Sequence, residues 1–210
     1  MSEVLVLCTA NVCRSPMAQA LLTDRLERLE PRAAQGSRAA RGSRSAPSVR
    51  SAGMLADGEP PPREVIIAMA GYGLDVSSHR SRRVTAPDLQ RADLTLAMAR
   101  EHLRHAVVTA PAVWPRAFTL RELVRRGGAI GRRAPGESLD RWLARAHDGR
   151  QRAALLGDSP GDDVADPIGG PQRAYTETAA TLRRLVGELA DLCWPVGNDP
   201  SGPHQSGAPA

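Results

Sequence analysis

Residues Glu3-Val4-Leu5-Val6-Leu7-Cys8 form a short, nearly continuous apolar run, the pattern of a strand buried on both faces. The run breaks at Thr9-Ala10-Asn11-Val12-Cys13-Arg14. Ser15-Pro16 then opens a helix, with Ser as N-cap and Pro at the first helical position. Met17, Leu21, Leu22, Leu26 and Leu29 recur at helical spacing until Pro31, which ends the run in this reading. Val49–Gly53, Ala92–Met98 and Arg116–Leu120 are further strand candidates. Pro60 to Pro62 precede a helix carrying Val65, Ile66, Ile67, Met69 and Ala70, closed by Gly71 or Gly73. Helices are expected at 99–105, 119–127 and 138–155, with Trp142 and Leu143 on the buried stripe of the last. A final helix from Pro171 to Cys193 shows Tyr175, Leu182, Leu185, Val186 and Leu189 on one face. Strands alternating with helices predict one α/β domain, a four-stranded parallel sheet with helices on both faces. Ligands of such sheets bind beyond the carboxyl ends of the strands, where the loop after Cys8 lies.

Two segments fall outside this pattern. Residues 31–48 are low-complexity Ala, Arg, Gly and Ser, with nothing to offset the entropy of ordering, and read as a flexible Arg-rich insertion. Residues 196–210, rich in Gly, Pro and Ser, read as a disordered tail to a domain spanning 1–195. The insertion lacks interleaved aromatics for base stacking, so nucleic acid is not an expected partner.

Composition sharpens this picture at three points. Aromatics make up only 3% of the chain, so the core must be aliphatic. All 28 basic residues are Arg, a bias that lowers the significance of any one Arg cluster, and the net charge of +5 favours anionic partners. The three cysteines, Cys8, Cys13 and Cys193, suit a reducing compartment better than a disulfide framework. The start, Met1-Ser2-Glu3, has no basic n-region, and no apolar run approaches the length of a spanning helix. A cytoplasmic protein without a membrane partner is the expectation.

The chemistry concentrates in the first loop. A turn from strand to helix N-terminus aims successive backbone N–H groups inward, a concavity for anions that the helix dipole reinforces. Arg14 can grip phosphate oxygens with two parallel hydrogen bonds, and Cys8 starts the loop with its sulfur beneath the anion. Each residue alone has a plainer role: Cys8 as a small buried hydrophobe, Arg14 as a solvated charge. The combination of apolar strand, Cys, five residues, Arg, Ser, Pro and amphipathic helix is what points to a nucleophile facing a held phosphate.

The run Val6 to Pro16 resembles the phosphate-binding loop of the bacterial low-molecular-weight protein tyrosine phosphatases. That family pairs Cys-x5-Arg-Ser with a downstream Asp-Pro, matched here by Asp166-Pro167. Ser51-Ala52-Gly53, Gly58-Glu59-Pro60-Pro61, His79-Arg80-Ser81-Arg82 and Ala92 through Met98 follow the family in order and spacing. The resemblance implies a flavodoxin-like fold and metal-independent hydrolysis, without cofactor, of phosphorylated protein substrates. Cys8 then matches the nucleophile that forms a phosphocysteine, Arg14 the phosphate ligand and Asp166 the general acid. The loop residues Thr9, Ala10, Asn11, Val12, Cys13 and Ser15 match the substrate cradle, with Ser15 assisting the thiolate as leaving group. Asn11, Ser51 and His79 match a polar network that shapes the loop. Cys13 matches a thiol that can pair with the nucleophile on oxidation, or simply packs the loop. Asp166 on its own could be a helix cap or turn residue, in a stretch that also holds Asp158, Asp162 and Asp163; the following Pro167 and the match to the family single it out.

Three departures from the family stand out, the last of which bears on substrate. Ala10 replaces a customary Gly and Ala99 a customary Asp. The aromatic wall is replaced by Met54-Leu55-Ala56-Asp57 and Ile168-Gly169-Gly170. Phosphotyrosine remains the preferred substrate. A protein-arginine phosphatase is the alternative, although that subgroup carries Thr where this chain has the aliphatic Val12. An arsenate reductase would need two further redox cysteines, and a non-catalytic phosphate-binding module would not need intact Cys8, Arg14, Ser15 and Asp166 together.

Overall fold

The computed structural model describes residues 2–34, 47–55, 57–157 and 159–195. Its strands are β1 (Glu3–Cys8), β2 (Ser48–Gly53), β3 (Leu94–Ala97) and β4 (Ala117–Thr119), joined in one parallel sheet of order β2-β1-β3-β4. The helices are α1 (Arg14–Ala34), α2 (Arg63–Ala70), α3 (Ala86–Arg91), α4 (Arg100–Thr109), α5 (Leu120–Ile130), α6 (Leu139–His147) and α7 (Gln172–Cys193). Alternation along β1 divides the core: Val4, Val6 and Cys8 join one apolar cluster, Leu5 and Leu7 the other. The first cluster takes side chains from α1, α2, α5, α6 and α7, the second from α3 and α4. The expected parallel sheet covered on both faces is what forms. Strand order reverses at β1, so its carboxyl end, with Cys8, opens at the switch point where α/β folds bind ligands.

Several expected boundaries are corrected. α1 begins at Arg14 and runs through Pro31 to Ala34, so Ser15 is not its cap and Pro31 does not end it. A proline this near a helix end forfeits one backbone bond, while Leu21, Leu22, Leu26 and Leu29 already anchor the helix by burial. Of the residues expected in an Arg-rich insertion over 31–48, those from Pro31 to Ala34 are helical and Ser48 already lies in β2. The insertion's central residues, 35–46, and the 196–210 tail lie outside the described residues.

The single helix expected over 138–155 is two elements. α6 stops at His147, Gly149 takes φ of 72°, and a 3₁₀ turn covers Arg152–Leu155. A left-handed glycine just past the last turn is a standard helix stop. Sequence periodicity also passed over α3, whose Thr85 and Asp88 form a reciprocal capping box. Among the described residues no helix is long and apolar enough to cross a membrane.

Candidate active site

The loop between β1 and α1 is held from outside by its carbonyls. Met54 N and Leu55 N donate to Thr9 O at 2.7 and 3.1 Å. His79 Nε2 lies 2.7 Å from Asn11 O. Because carbonyl and following amide point oppositely in a trans peptide, these contacts turn the N–H groups of Ala10 and Val12 to the loop's inner side. Arg14 is the first helical residue, so its amide adds to the unpaired donors at the N-terminus of α1.

Cys8 ends β1 with its sulfur inside this ring, only 3% exposed. Asn11 N donates to Cys8 Sγ at 3.2 Å, and Ser15 Oγ lies 3.0 Å from the same sulfur. Asn11 has φ of 55°, a left-handed position that Asn tolerates better than most residues. Its side chain is fully committed: Nδ2 donates to Ser15 Oγ and Ser51 Oγ at 2.9 Å each, and Oδ1 accepts from Arg82 N at 2.9 Å. Ser51 passes its proton on to Gln19 Oε1 at 2.6 Å. Since Ser15 Oγ accepts from Asn11, its own proton is free for the sulfur. The network expected of Asn11, Ser51 and His79 is thus assembled around the loop, with Gln19 and Arg82 as members that sequence alone did not suggest.

Gly53 was also passed over as an individual residue. It lies in register with Cys8, and a Cβ there would meet Asn11 N and Thr9 O at 2.8 Å and Ala10 C at 2.9 Å. Only glycine lets β2 approach the loop backbone this closely. Ala10, by contrast, stays outside the left-handed region, so its methyl is accommodated.

The Arg14 guanidinium is buried and triply held. Nη1 donates to Val164 O at 3.2 Å, and Nη2 donates to Thr9 Oγ1 at 3.1 Å and to the Asp166 carboxylate. Asp166 is 41% exposed, reaching from the rim into the site. The neighbouring acids have other duties. Asp162 is clamped by Arg100, Arg125 and Ser159. Burial would raise its pKa, but the bonds from Arg125 and Arg100 hold it below the ordinary carboxylate value. Asp163 accepts from Arg100 N at 2.8 Å and so caps α4, replacing the cap that Ala99 cannot supply. Asp158 lies outside the described residues. Val164 N donates to Met98 O at 2.8 Å, tying the acid-bearing segment to the end of β3. Tyr175 Oη accepts from Gly169 N at 3.3 Å on its far side.

One residue beneath the loop escaped the sequence reading. His102 Nε2 lies 2.9 Å from Thr9 Oγ1, one step behind Arg14. A lone His five residues past β3 carries no sequence signal, and only the fold brings it here.

The chain as a whole is similar to known proteins. Residues 3–130 match the family model of the low molecular weight phosphotyrosine protein phosphatases. The chain belongs to that family. The probable low molecular weight protein-tyrosine-phosphatase EpsP of Ralstonia solanacearum is 35% identical over 120 residues, 57% of this chain and 71% of the relative. The protein-arginine-phosphatase of Geobacillus stearothermophilus is 28% identical over 190 residues, 90% of this chain and 94% of the relative. The crystal structure of a low molecular weight protein tyrosine phosphatase from T. tengcongensis superposes with a TM-score of 0.64 at 28% identity, covering 91% of this chain and 99% of that one.

Within this family frame the remaining thiols are inward-facing. Burial, followed by the charges of Asp166 and Cys8, pushes the Cys13 thiol far up, and burial does the same for Cys193 in α7. All three cysteines are free. Leu55 and Ile168, each about half exposed, are the large apolar side chains beside the loop and beside Asp166.

Proposed function

We propose that this phosphatase hydrolyses phosphomonoesters on phosphoproteins, phosphotyrosine foremost, through a phosphocysteine intermediate. The observation that carries this reading is the meeting of Cys8 Sγ, with donors from Asn11 N and Ser15, and an Arg14 guanidinium in contact with Asp166. The loop amides and Arg14 bind the phosphoryl oxygens and stabilise the charge that builds in the transition state. The incoming phosphate takes over the Nη2 bond that Asp166 holds, which frees the carboxyl to meet the leaving oxygen.

The steps then balance without a metal. The Cys8 thiolate attacks phosphorus, the P–O ester bond breaks, and protonated Asp166 gives its proton to the leaving oxygen. Water next attacks phosphorus, Asp166 carboxylate takes its proton, and the S–P bond breaks to return the thiolate. Ser15 and Asn11 N stabilise that departing sulfur. Thr9, Ala10, Val12 and Cys13 contribute the backbone of the cradle, and Ser51 and His79 hold its shape. Free cysteines suit a cytoplasmic site of action.

A second reading has its own support. The alignment with the arginine phosphatase spans 190 residues, and the rim at Leu55 and Ile168 is aliphatic rather than aromatic. Val12 argues for the tyrosine type. Arsenate reduction would need two further redox cysteines beyond the loop, where the chain has only Cys193, fully buried in α7.

The test uses p-nitrophenyl phosphate with chelator present. Wild type should turn over and be inhibited by vanadate. Cys8→Ser and Arg14→Ala should abolish turnover, and Asp166→Ala should lower kcat about 10²–10⁴-fold. Wild-type rates in Cys8→Ser would overturn the reading. Parallel assays on phosphotyrosine and phosphoarginine peptides separate the two substrate classes.

A further inference from the structure

Behind the phosphate-binding loop sits one fully buried imidazole that the chemistry above does not use. His102, in the first turn of α4, is 0% exposed. Its Nε2 lies 2.9 Å from Thr9 Oγ1 and 3.2 Å from Glu101 Oε1, and its Nδ1 meets no partner among the described residues. Thr9 Oγ1 in turn accepts from Arg14 Nη2 at 3.1 Å. We propose that His102 is a positioning residue for Arg14: it fixes the Thr9 hydroxyl, and the hydroxyl fixes the direction of the guanidinium. This inference rests on the assignment of Arg14 as the phosphate ligand.

The reason is what remains when a phosphate arrives. Of the three groups that Arg14 touches, Asp166 must leave to act as the acid. Val164 O and Thr9 Oγ1 are then the protein groups that still orient the guanidinium. Val164 O belongs to a backbone already tied to β3. A threonine hydroxyl has no such anchor of its own, and His102 supplies it. The imidazole is itself rigid, because Leu103 and Ala106 bury α4 against the sheet and Asp163 caps its first turn.

The charge state agrees with this role. Burial, then Arg14 and His105, push the His102 pKa down to about 3, so the ring stays neutral beside the guanidinium. A neutral ring can donate Nε2–H to Oγ1 or accept its proton, and in either case a lone pair of Oγ1 remains for Arg14. The Nε2–H tautomer is favoured by the surroundings, because it leaves only an unpaired acceptor at Nδ1 rather than a buried orphan N–H.

The experiment compares His102→Leu, His102→Gln, Thr9→Val and the His102→Leu/Thr9→Val double variant in the full chain. Aryl phosphate turnover, inhibition by inorganic phosphate and thermal melting are measured for each. His102→Leu and Thr9→Val should each lower kcat/KM about tenfold, the effect of losing one hydrogen bond to a charged group. The double variant should lose about the same tenfold rather than a hundredfold. His102→Gln, whose amide reaches the place of Nε2, should recover to within about threefold of wild type, and phosphate inhibition should weaken in parallel with kcat/KM.

A purely structural histidine would lower the melting temperature and leave the loss in the double variant multiplicative. That result, or wild-type kcat/KM in His102→Leu, overturns the proposal. Should His102→Leu not fold, Thr9→Val and His102→Gln decide between the same outcomes. If the wild type turns over no aryl phosphate, the phosphatase reading falls instead. Calorimetric binding of inorganic phosphate to the same variants then tests the hold on Arg14 independently.

Discussion

At the scale of single residues, the site depends on positions where one side chain, or none, will fit. Asn11 is such a position, because a left-handed φ, two donated hydrogen bonds and one accepted bond coincide there. Gly53 is another. Gly53→Ala drives a methyl into the backbone of Thr9, Ala10 and Asn11, none of which can rotate away. The expected result is a loss of about 1–3 kcal/mol by urea denaturation, with kcat/KM falling at least about tenfold because the displaced atoms belong to the anion cradle. Gly187→Ala is the contrasting case. It lies inside α7 with open space around the added methyl, and should stabilise the fold by about 0.5–1 kcal/mol without touching turnover.

At the scale of elements, the acid-bearing segment is the part whose position rests on distant partners. Asp162 joins Arg100 of α4 and Arg125 of α5 to the segment that carries Asp166, and Asp163 caps α4 from the same stretch. Asp162→Ala leaves both guanidinium groups short of a partner and should cost about 1.5–3 kcal/mol in a urea melt. Its kinetic effect should fall on kcat more than on KM, since the loop amides that bind phosphate stay in place while the acid, and the Val164 O that helps orient Arg14, lose an anchor. An unchanged kcat would show that Val164 N on Met98 O holds the segment by itself.

This scale also shows where periodicity stops being informative. Strands β1 to β4 and helices α2, α5 and α7 were legible because apolar spacing and burial coincide there. α3 was missed because a six-residue helix has too few turns to show a period, and its evidence lay in Thr85 and Asp88. α6 was drawn too long because apolar residues continue past Gly149 into a different element, the 3₁₀ turn.

For the whole molecule, the buried His102 links stability to pH. Its pKa lies near 3 in the fold against an ordinary 6.5, so between these values the unfolded chain binds more protons than the folded one. Stability from this group is therefore complete above about pH 6.5 and drains away as the pH falls toward 3. Melting temperatures between pH 7 and pH 4 should drop less steeply in His102→Gln than in wild type. Asp88 and Asp162, both held below 3.8, begin to lose their contribution only at lower pH, which separates the two effects.

What the sequence determined by itself was the local object: an apolar strand, a loop of fixed length between Cys8 and Arg14, and a helix whose first amides have no partner within it. These follow from neighbours in the chain, through hydrophobic spacing and the geometry of a strand-to-helix turn. What tertiary structure decided was which distant groups meet that loop. The step Asp166-Pro167 singled out one acid of several in the sequence, and packing added what its neighbours do: Asp162 and Asp163 are spent on α4 and α5 while Asp166 contacts Arg14. The same holds for Gly53 beside Cys8 and for His102 behind Thr9. Contacts across 37 to 152 residues arise from strand order and helix packing, which no local pattern of side chains encodes.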